Sequence, residues 1–179
     1  MDYLNLADMF FRKREDFPTN SAYRSKKDGQ WKAITFTEAV DQAEKLSAGL
    51  AYFGIKKGDK IALISTNRVE WALVDYAVLA LGAALVPVYP TLLKDQVQYI
   101  VNDSEAKIVI VENDDQREKI NQIRDELNEV GHCFYIDGVV QKEDSQWKTL
   151  DSLAEKGEAF LKENPDYVTG SVQTIKRED

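Results

Sequence analysis

"GAALVPVYPT", residues 82–91, lies inside Tyr76–Leu93, 18 consecutive residues without a formal charge. Three readings compete for so apolar a run: a membrane span, the lining of a lipid site, or the buried crossing of a soluble fold. A spanning helix needs about 20 apolar residues in one unbroken helical run. Here Gly82 ends a helical pattern, Pro87 sits within the strand-like "ALVPVY", and Pro90 follows it. The stretch therefore divides into helix, turn and strand, and it reads as a core crossing.

Outward from it, strand and helix alternate. "KIALIST" (60–66) is β-prone and follows a turn at Gly58-Asp59. Residues 69–81, "VEWALVDYAVLAL", have helical character with only Glu70 and Asp75 charged, which predicts a helix covered nearly all round. After the strand at 84–89 come a short helix at 93–101 and a strand "KIVIVE" (107–112). Asp114 or Asp115 is the expected cap of a helix that turns Ile120, Ile123, Leu127 and Val130 inward, and "CFYID" (133–137) is a further strand. Short apolar strands joined by amphipathic helices predict an α/β fold, a parallel sheet flanked by helices in flavodoxin-like fashion.

Before this core, residues 4–14 have helical spacing with Asn5 as cap, and "SAYRSKKDGQWKAITF" places two β-prone runs around Asp28-Gly29, a hairpin signal. Thr35 and Glu38 stand in capping-box spacing, with Thr37 as an alternative cap, ahead of a helix that aligns Val40, Ala43, Leu46, Leu50 and Phe53 and closes at Gly54. After Asp137 the pattern weakens. One modest helix (Leu150, Leu153, Ala154, Phe160, Leu161) ends before Pro165, and "YVTGSVQTIKRED" shows no packed period. The expected organisation is 1–58 as helix, hairpin and amphipathic helix, 59–137 as the sheet core, and 138–179 as a weakly structured helix and tail.

Composition narrows the function. A chain of 179 residues can bury a self-sufficient core. With 23 basic and 31 acidic residues the net charge is -8, which argues against nucleic acid or anionic lipid as partner. The local run Arg12-Lys13-Arg14 passes into Glu15 and Asp16 and reads as a solvated helix face. One cysteine, Cys133, excludes an internal disulfide and suits a reducing compartment. The opening residues carry acids at Asp2 and Asp8 and no signal-peptide core, so the expected setting is cytoplasmic, without a transmembrane segment.

Motifs for chemistry are sparse. Neither a G-x-G-x-x-G dinucleotide turn nor a G-x-x-x-x-G-K-[ST] phosphate loop occurs, and "VTGS" (168–171) lacks the second glycine and lysine that phosphate binding wants and reads as an ordinary loop. His132 and Cys133 are adjacent at a strand start and would point to opposite faces, so they do not share a proton or metal. Glu112, Asp114 and Asp115 stand where a helix N-terminus favours negative charge. A phosphoacceptor receiver domain would need acids after its first strand, where Thr66, Asn67 and Arg68 stand instead.

Five strings in order point elsewhere: Trp31 with "ITF", Gly54 with "KKGDKIAL", "NRVEWA" (67–72), "LGAALVPVYPT" (81–91) and "YIVNDSEAK" (99–107). Together they resemble the N-terminal part of the adenylate-forming acyl-CoA synthetases, above all the bacterial long-chain fatty-acid–CoA ligases. The resemblance covers about residues 4–112 and is looser beyond. It implies a parent enzyme that activates a fatty acid with ATP and magnesium to an acyl-adenylate and then forms a thioester with coenzyme A. Peripheral membrane association of the parent fits the same resemblance.

The family's Ser/Thr/Gly-rich phosphate loop with its lysine would lie just beyond the point matching Asp179, and its adenine motif, ribose-binding aspartate, hinge and catalytic lysine later still. The resemblance therefore implies an N-terminal fragment, inactive alone and without cofactors of its own, whose hairpin leaves an apolar patch open to self-association. Its matching motifs are architectural: Gly82, Pro87 and Pro90 shape the crossing, and Trp31 and Trp71 supply bulk. Asn67, Arg68, Glu70 and Trp71, after a strand's carboxyl end, are the residues placed to wall a site, although Glu70 and Trp71 read more simply as a helix first turn with a core anchor. No residue is assigned a catalytic, cofactor-binding or metal-ligating role. The rival readings are a stand-alone α/β module for a nucleotide or flavin and a non-catalytic interaction domain.

Overall fold

The computed structural model describes residues 2–137 and 146–176. The first helical segment breaks in two at Arg12, giving α1 (Leu6–Phe11) and α2 (Lys13–Asp16). Asn5 caps α1 by accepting from the Asp8 amide at 2.8 Å. The basic run is internally engaged: Arg12 pairs with Asp8, and Arg14 reaches Asp41 and Glu44 at 3.0 and 2.7 Å.

β1 (Ser21–Lys27) and β2 (Gln30–Thr35) form the antiparallel hairpin. Asp28 and Gly29 take φ of 52° and 78°, the left-handed pair a two-residue turn requires. At the start of α3 (Phe36–Tyr52) the capping box forms, with Glu38 N donating to Thr35 Oγ1 at 3.2 Å and Thr35 N to Glu38 Oε2 at 2.7 Å. Thr37, the alternative cap, instead donates its hydroxyl to the Pro18 carbonyl. Trp31, expected to supply architectural bulk, is 70% exposed on the hairpin.

The core follows as β3 (Lys60–Ile64), α4 (Val69–Leu79), β4 (Ala84–Val88), α5 (Lys94–Asp103), β5 (Ala106–Val111), α6 (Asp114–Asn121) and β6 (His132–Tyr135). A strand not read from sequence, β7 (Trp147–Thr149), completes a five-stranded sheet of order β4-β3-β5-β6-β7 with every neighbour parallel. Counted from β3, this is the doubly wound order 2-1-3-4-5. Pro87, which lacks an amide proton, lies on terminal strand β4, where a missing ladder donor costs least.

One face of the sheet (Ile61, Leu63, Ile108, Ile110, Phe134) packs with α1, α3, α4 and the two last helices, α7 (Leu150–Glu163) and α8 (Tyr167–Thr174). The other face (Ala62, Ile64, Val109, Val111, Cys133, Tyr135) packs under α5 and α6. One element reading changes here. The tail read as unpacked contains α8, which buries Val168 and Val172. Helix α4 is covered nearly all round, as its composition predicts: Leu73, Val74, Ala77 and Val78 are buried, Trp71, Asp75 and Tyr76 are half-buried, and none of its residues is exposed. The Tyr76 ring is shielded by Phe10, stacked at a centroid distance of 3.9 Å.

Helix α7 lies directly against α3 through two glycines. A Cβ on Gly157 would stand 1.8 Å from the Lys45 carbonyl oxygen and 2.6 Å from the Gly49 nitrogen, and one on Gly49 would stand 2.2 Å from the Leu153 oxygen. These are backbone atoms and cannot swing aside. Gly157→Ala is predicted to destabilise by about 3 kcal/mol, the upper end for overpacking, and to lower the thermal midpoint by about 10 °C. Gly170→Ala, where an added Cβ meets nothing within 4 Å, is the control. It should raise stability by about 0.5–1 kcal/mol through helix propensity, and a calorimetric scan of both variants checks the pair.

Candidate functional site

Open parallel sheets take ligands outside the carboxyl ends of their strands, where the strand order reverses. Here the reversal falls between β3 and β5, because β4 lies to one side of β3 and β5 to the other. The carboxyl-end residues are Ser65, Thr66, Asn67 and Arg68 after β3, Glu112 and Asn113 after β5, and Asp137 after β6.

The Glu112 carboxylate lies at this switch point. It is 6% exposed, and its Oε2 accepts from the Thr66 amide and the Thr66 hydroxyl, both at 2.7 Å, with Ser65 Oγ at 3.2 Å. The reading of Glu112 as one of a helix-start acidic group with Asp114 and Asp115 is therefore corrected. The two aspartates are exposed in the first turn of α6, and Asp114 pairs with Arg117 at 3.0 Å. The expected aspartate cap is also replaced: Asn113 caps α6, accepting from the Gln116 amide at 3.2 Å. Sequence reasoning missed Glu112 because its partners stand more than forty positions away. The available signal is an acid ending the apolar run "KIVIV" opposite hydroxyls ending "KIALI", and it is visible only once β3 and β5 are paired.

Of the residues expected to wall a site, Arg68 is the most engaged. Its Nη1 and Nη2 donate to the two oxygens of Asp137 at 2.6 and 2.8 Å, and its Nε donates to Glu70 at 2.8 Å. The bidentate bond to Asp137, then that to Glu70, raises the guanidinium pKa above its ordinary value. In return, the bond from Arg68 holds Glu70 below the usual glutamate range despite partial burial. Trp71 packs half-buried against the core, and Asn67 is exposed. The structure thus joins Arg68 and Glu70 with Asp137, which the sequence did not suggest, and leaves Asn67 and Trp71 out of that cluster.

His132 and Cys133 do point to opposite faces. His132 meets the Phe53 ring edge-on, while Cys133 is buried under α6 and touches Arg124. Burial pushes the Cys133 thiol up to about 11, so it is a poor nucleophile. "VTGS" lies within α8 rather than in a loop. Among the described residues no group of three or more His, Cys, Asp or Glu side chains is arranged to hold a metal, and no helix is long and apolar enough to cross a membrane. A shallow groove of about 410 Å³ along α5 is lined by Leu92, Asp95, Gln96, Tyr99 and Ile100, a set without histidine, thiol or cation.

The order 2-1-3-4-5 with helices on both faces defines a doubly wound α/β framework. The AMP-binding enzyme family matches residues 10–171, and the chain belongs to that family. It is 30% identical over 175 residues to the long-chain-fatty-acid–CoA ligase FadD15 of Mycobacterium bovis, a match covering 98% of this chain and 28% of that protein. The N-terminal domain of FACL13 from Mycobacterium tuberculosis, solved with an inhibitor, superposes at a TM-score of 0.68 with 27% identity over 87% of this chain and 35% of that one. FadD1, a long-chain-fatty-acid–CoA ligase from Archaeoglobus fulgidus, shares the fold at a TM-score of 0.74 and 22% identity, over 88% of this chain and 31% of that one. The chain thus spans just over a quarter of the length of the FadD15 relative. The family resemblance carried by the five strings is borne out, as is the parallel sheet flanked by helices read from the strand–helix alternation.

The Arg68 cluster has a pH signature. Because Glu70 is held below its ordinary value, the stability it contributes is present above the unfolded glutamate pKa, about 4.3. That contribution is lost as pH falls through the lowered folded value. Arg68→Ala should therefore flatten the acid limb of the stability profile while costing about 1 kcal/mol at pH 7, as urea unfolding across pH would show.

Proposed function

We propose that this chain is the framework portion of a long-chain fatty-acid–CoA ligase. The whole protein joins a fatty acid to ATP with magnesium, forming an acyl-adenylate and releasing pyrophosphate, and then transfers the acyl group to the thiol of coenzyme A. The observation that carries this reading is the match to FadD15 along 98% of the chain, together with the family match over residues 10–171. The part of such an enzyme seen here supplies the sheet and its covering helices. The chain alone is inactive in this reading: its sequence lacks the Ser/Thr/Gly-rich loop with lysine, and its switch-point donors already hold Glu112. No catalytic, cofactor-binding or metal role falls to any of its residues. A reducing, cytoplasmic setting belongs to the same proposal and suits a single buried free thiol.

The test compares the whole protein with the 179-residue chain. The whole protein should release pyrophosphate from ATP and magnesium when given a long-chain fatty acid, and should form the thioester when coenzyme A is added. The 179-residue chain should do neither, and its thermal midpoint should not move with ATP and magnesium. A ligand at 100 times its dissociation constant would add about 2.7 kcal/mol of stability, an unmistakable shift. Such a shift would favour a stand-alone nucleotide-binding module and overturn the inert-framework reading.

Self-association of the isolated chain through the hairpin is part of the same proposal. Its support is Trp31, a large aromatic left 70% exposed on a two-stranded sheet whose outer edges are unpaired among the described residues. Sedimentation at rising concentration should show dimers that Trp31→Ser disperses. A chain that stays monomeric throughout would remove this element of the proposal.

A further inference from the structure

We infer that Glu112 is an internal ligand of the sheet: its carboxylate takes the switch-point position that an outside anion would fill, and so sets the β3–α4 turn that carries Arg68. The inference is independent of the ligase reading.

A carboxylate 6% exposed, with no cation in its hydrogen-bond set among the described residues, persists only if donors replace its water. Thr66 supplies two of them at 2.7 Å, one from the backbone and one from the side chain. Ser65 Oγ has a single proton and two acceptors in reach, Glu112 Oε2 at 3.2 Å and the Thr66 carbonyl at 2.8 Å, so it serves as a secondary donor. Asn113 Nδ2 reaches the other carboxylate oxygen at 3.3 Å. A backbone amide and hydroxyls converging on one oxygen at a strand's carboxyl end are the chemistry by which proteins hold small anions.

The Glu112 backbone extends the tie in both directions. Its amide donates to the Ile64 carbonyl at 3.1 Å, and its carbonyl accepts from the Asp137 amide at 2.9 Å. The same residue thus joins the ends of β3, β5 and β6. Thr66 is two residues before Arg68, and Asp137 receives both Arg68 Nη donors, so both partners of the guanidinium–carboxylate pair hang from Glu112. Glu112 is a positioning residue for that pair, and the crevice is closed to an external anion because it already contains one.

Chemical rescue tests this. Glu112→Ala deletes the carboxylate and leaves room of its shape beside free Thr66 donors. The variant should melt several degrees below the parent chain. Sodium formate should raise its midpoint in a saturable way, while sodium chloride at matched ionic strength should not. The parent chain and Glu112→Gln, which keeps an acceptor oxygen in place, should show no formate-specific rise. In ¹⁵N spectra the Arg68 guanidinium protons should exchange slowly in the parent, broaden in Glu112→Ala and return with formate. A purely structural loss would not return with so small an anion. Equal formate effects on all three proteins, or none on a folded Glu112→Ala, would overturn the inference. Should Glu112→Ala not fold, Thr66→Val serves instead: removal of its hydroxyl should speed exchange of the Thr66 amide and the Arg68 guanidinium protons, and unchanged exchange would equally overturn it.

Discussion

The contact between α3 and α7 holds this molecule together as one unit. Helix α3 belongs to the N-terminal part of the chain and α7 follows the last strand, yet the two meet backbone to backbone at Gly49 and Gly157. Ordinary helix pairs are kept 8–10 Å apart by their side chains. Removing both Cβ atoms lets the pair close further, so that Leu153 is fully buried and the covering layer over Ile108, Ile110 and Phe134 becomes continuous. Once α7 is in place, α8 can follow it, and Asn5 reaches across to the Val172 and Ile175 carbonyls at 2.9 and 3.0 Å. Asn5 ahead of α1 and the carboxyl end of α8 are thereby tied on one face of the sheet.

The opposite constraint operates at the carboxyl ends of the strands. There the fold presents the sort of crevice that many doubly wound proteins use for a ligand. In this chain it is occupied by groups from the chain itself, Glu112 on the donors of Thr66 and Arg68 across Asp137 and Glu70. Such satisfied polar clusters rigidify the strand ends and leave few groups disposed toward an outside molecule. That suits the framework role proposed for this chain.

Much of this was legible locally. The hairpin was visible in Asp28-Gly29, the start of α3 in the spacing of Thr35 and Glu38, and the α/β alternation in apolar runs cut by Gly82, Pro87 and Pro90. Each of these signals acts within a few residues, which is why a linear reading can find it. Reading failed where a residue's role depends on a distant neighbour. Trp31 reads from sequence as architectural bulk, but only the hairpin's position decides what covers it. α8 looked structureless because its eight residues bury just Val168 and Val172, too few to show a period. Glu112 looked like a helix-start acid because its sequence neighbours are acids.

By itself, then, the sequence determined the class of this protein: alternating apolar strands and amphipathic helices, with the strings that mark the acyl-CoA synthetase family. Periodicity, turn chemistry and capping are properties of short segments, and they survive without knowledge of the whole. Tertiary structure alone decided the strand order, the glycine contact that recruits the last helices, and the use of the switch-point crevice as an internal carboxylate site. Those depend on which segments become neighbours in space, and hydrogen bonds and close packing act over ångströms irrespective of separation along the chain.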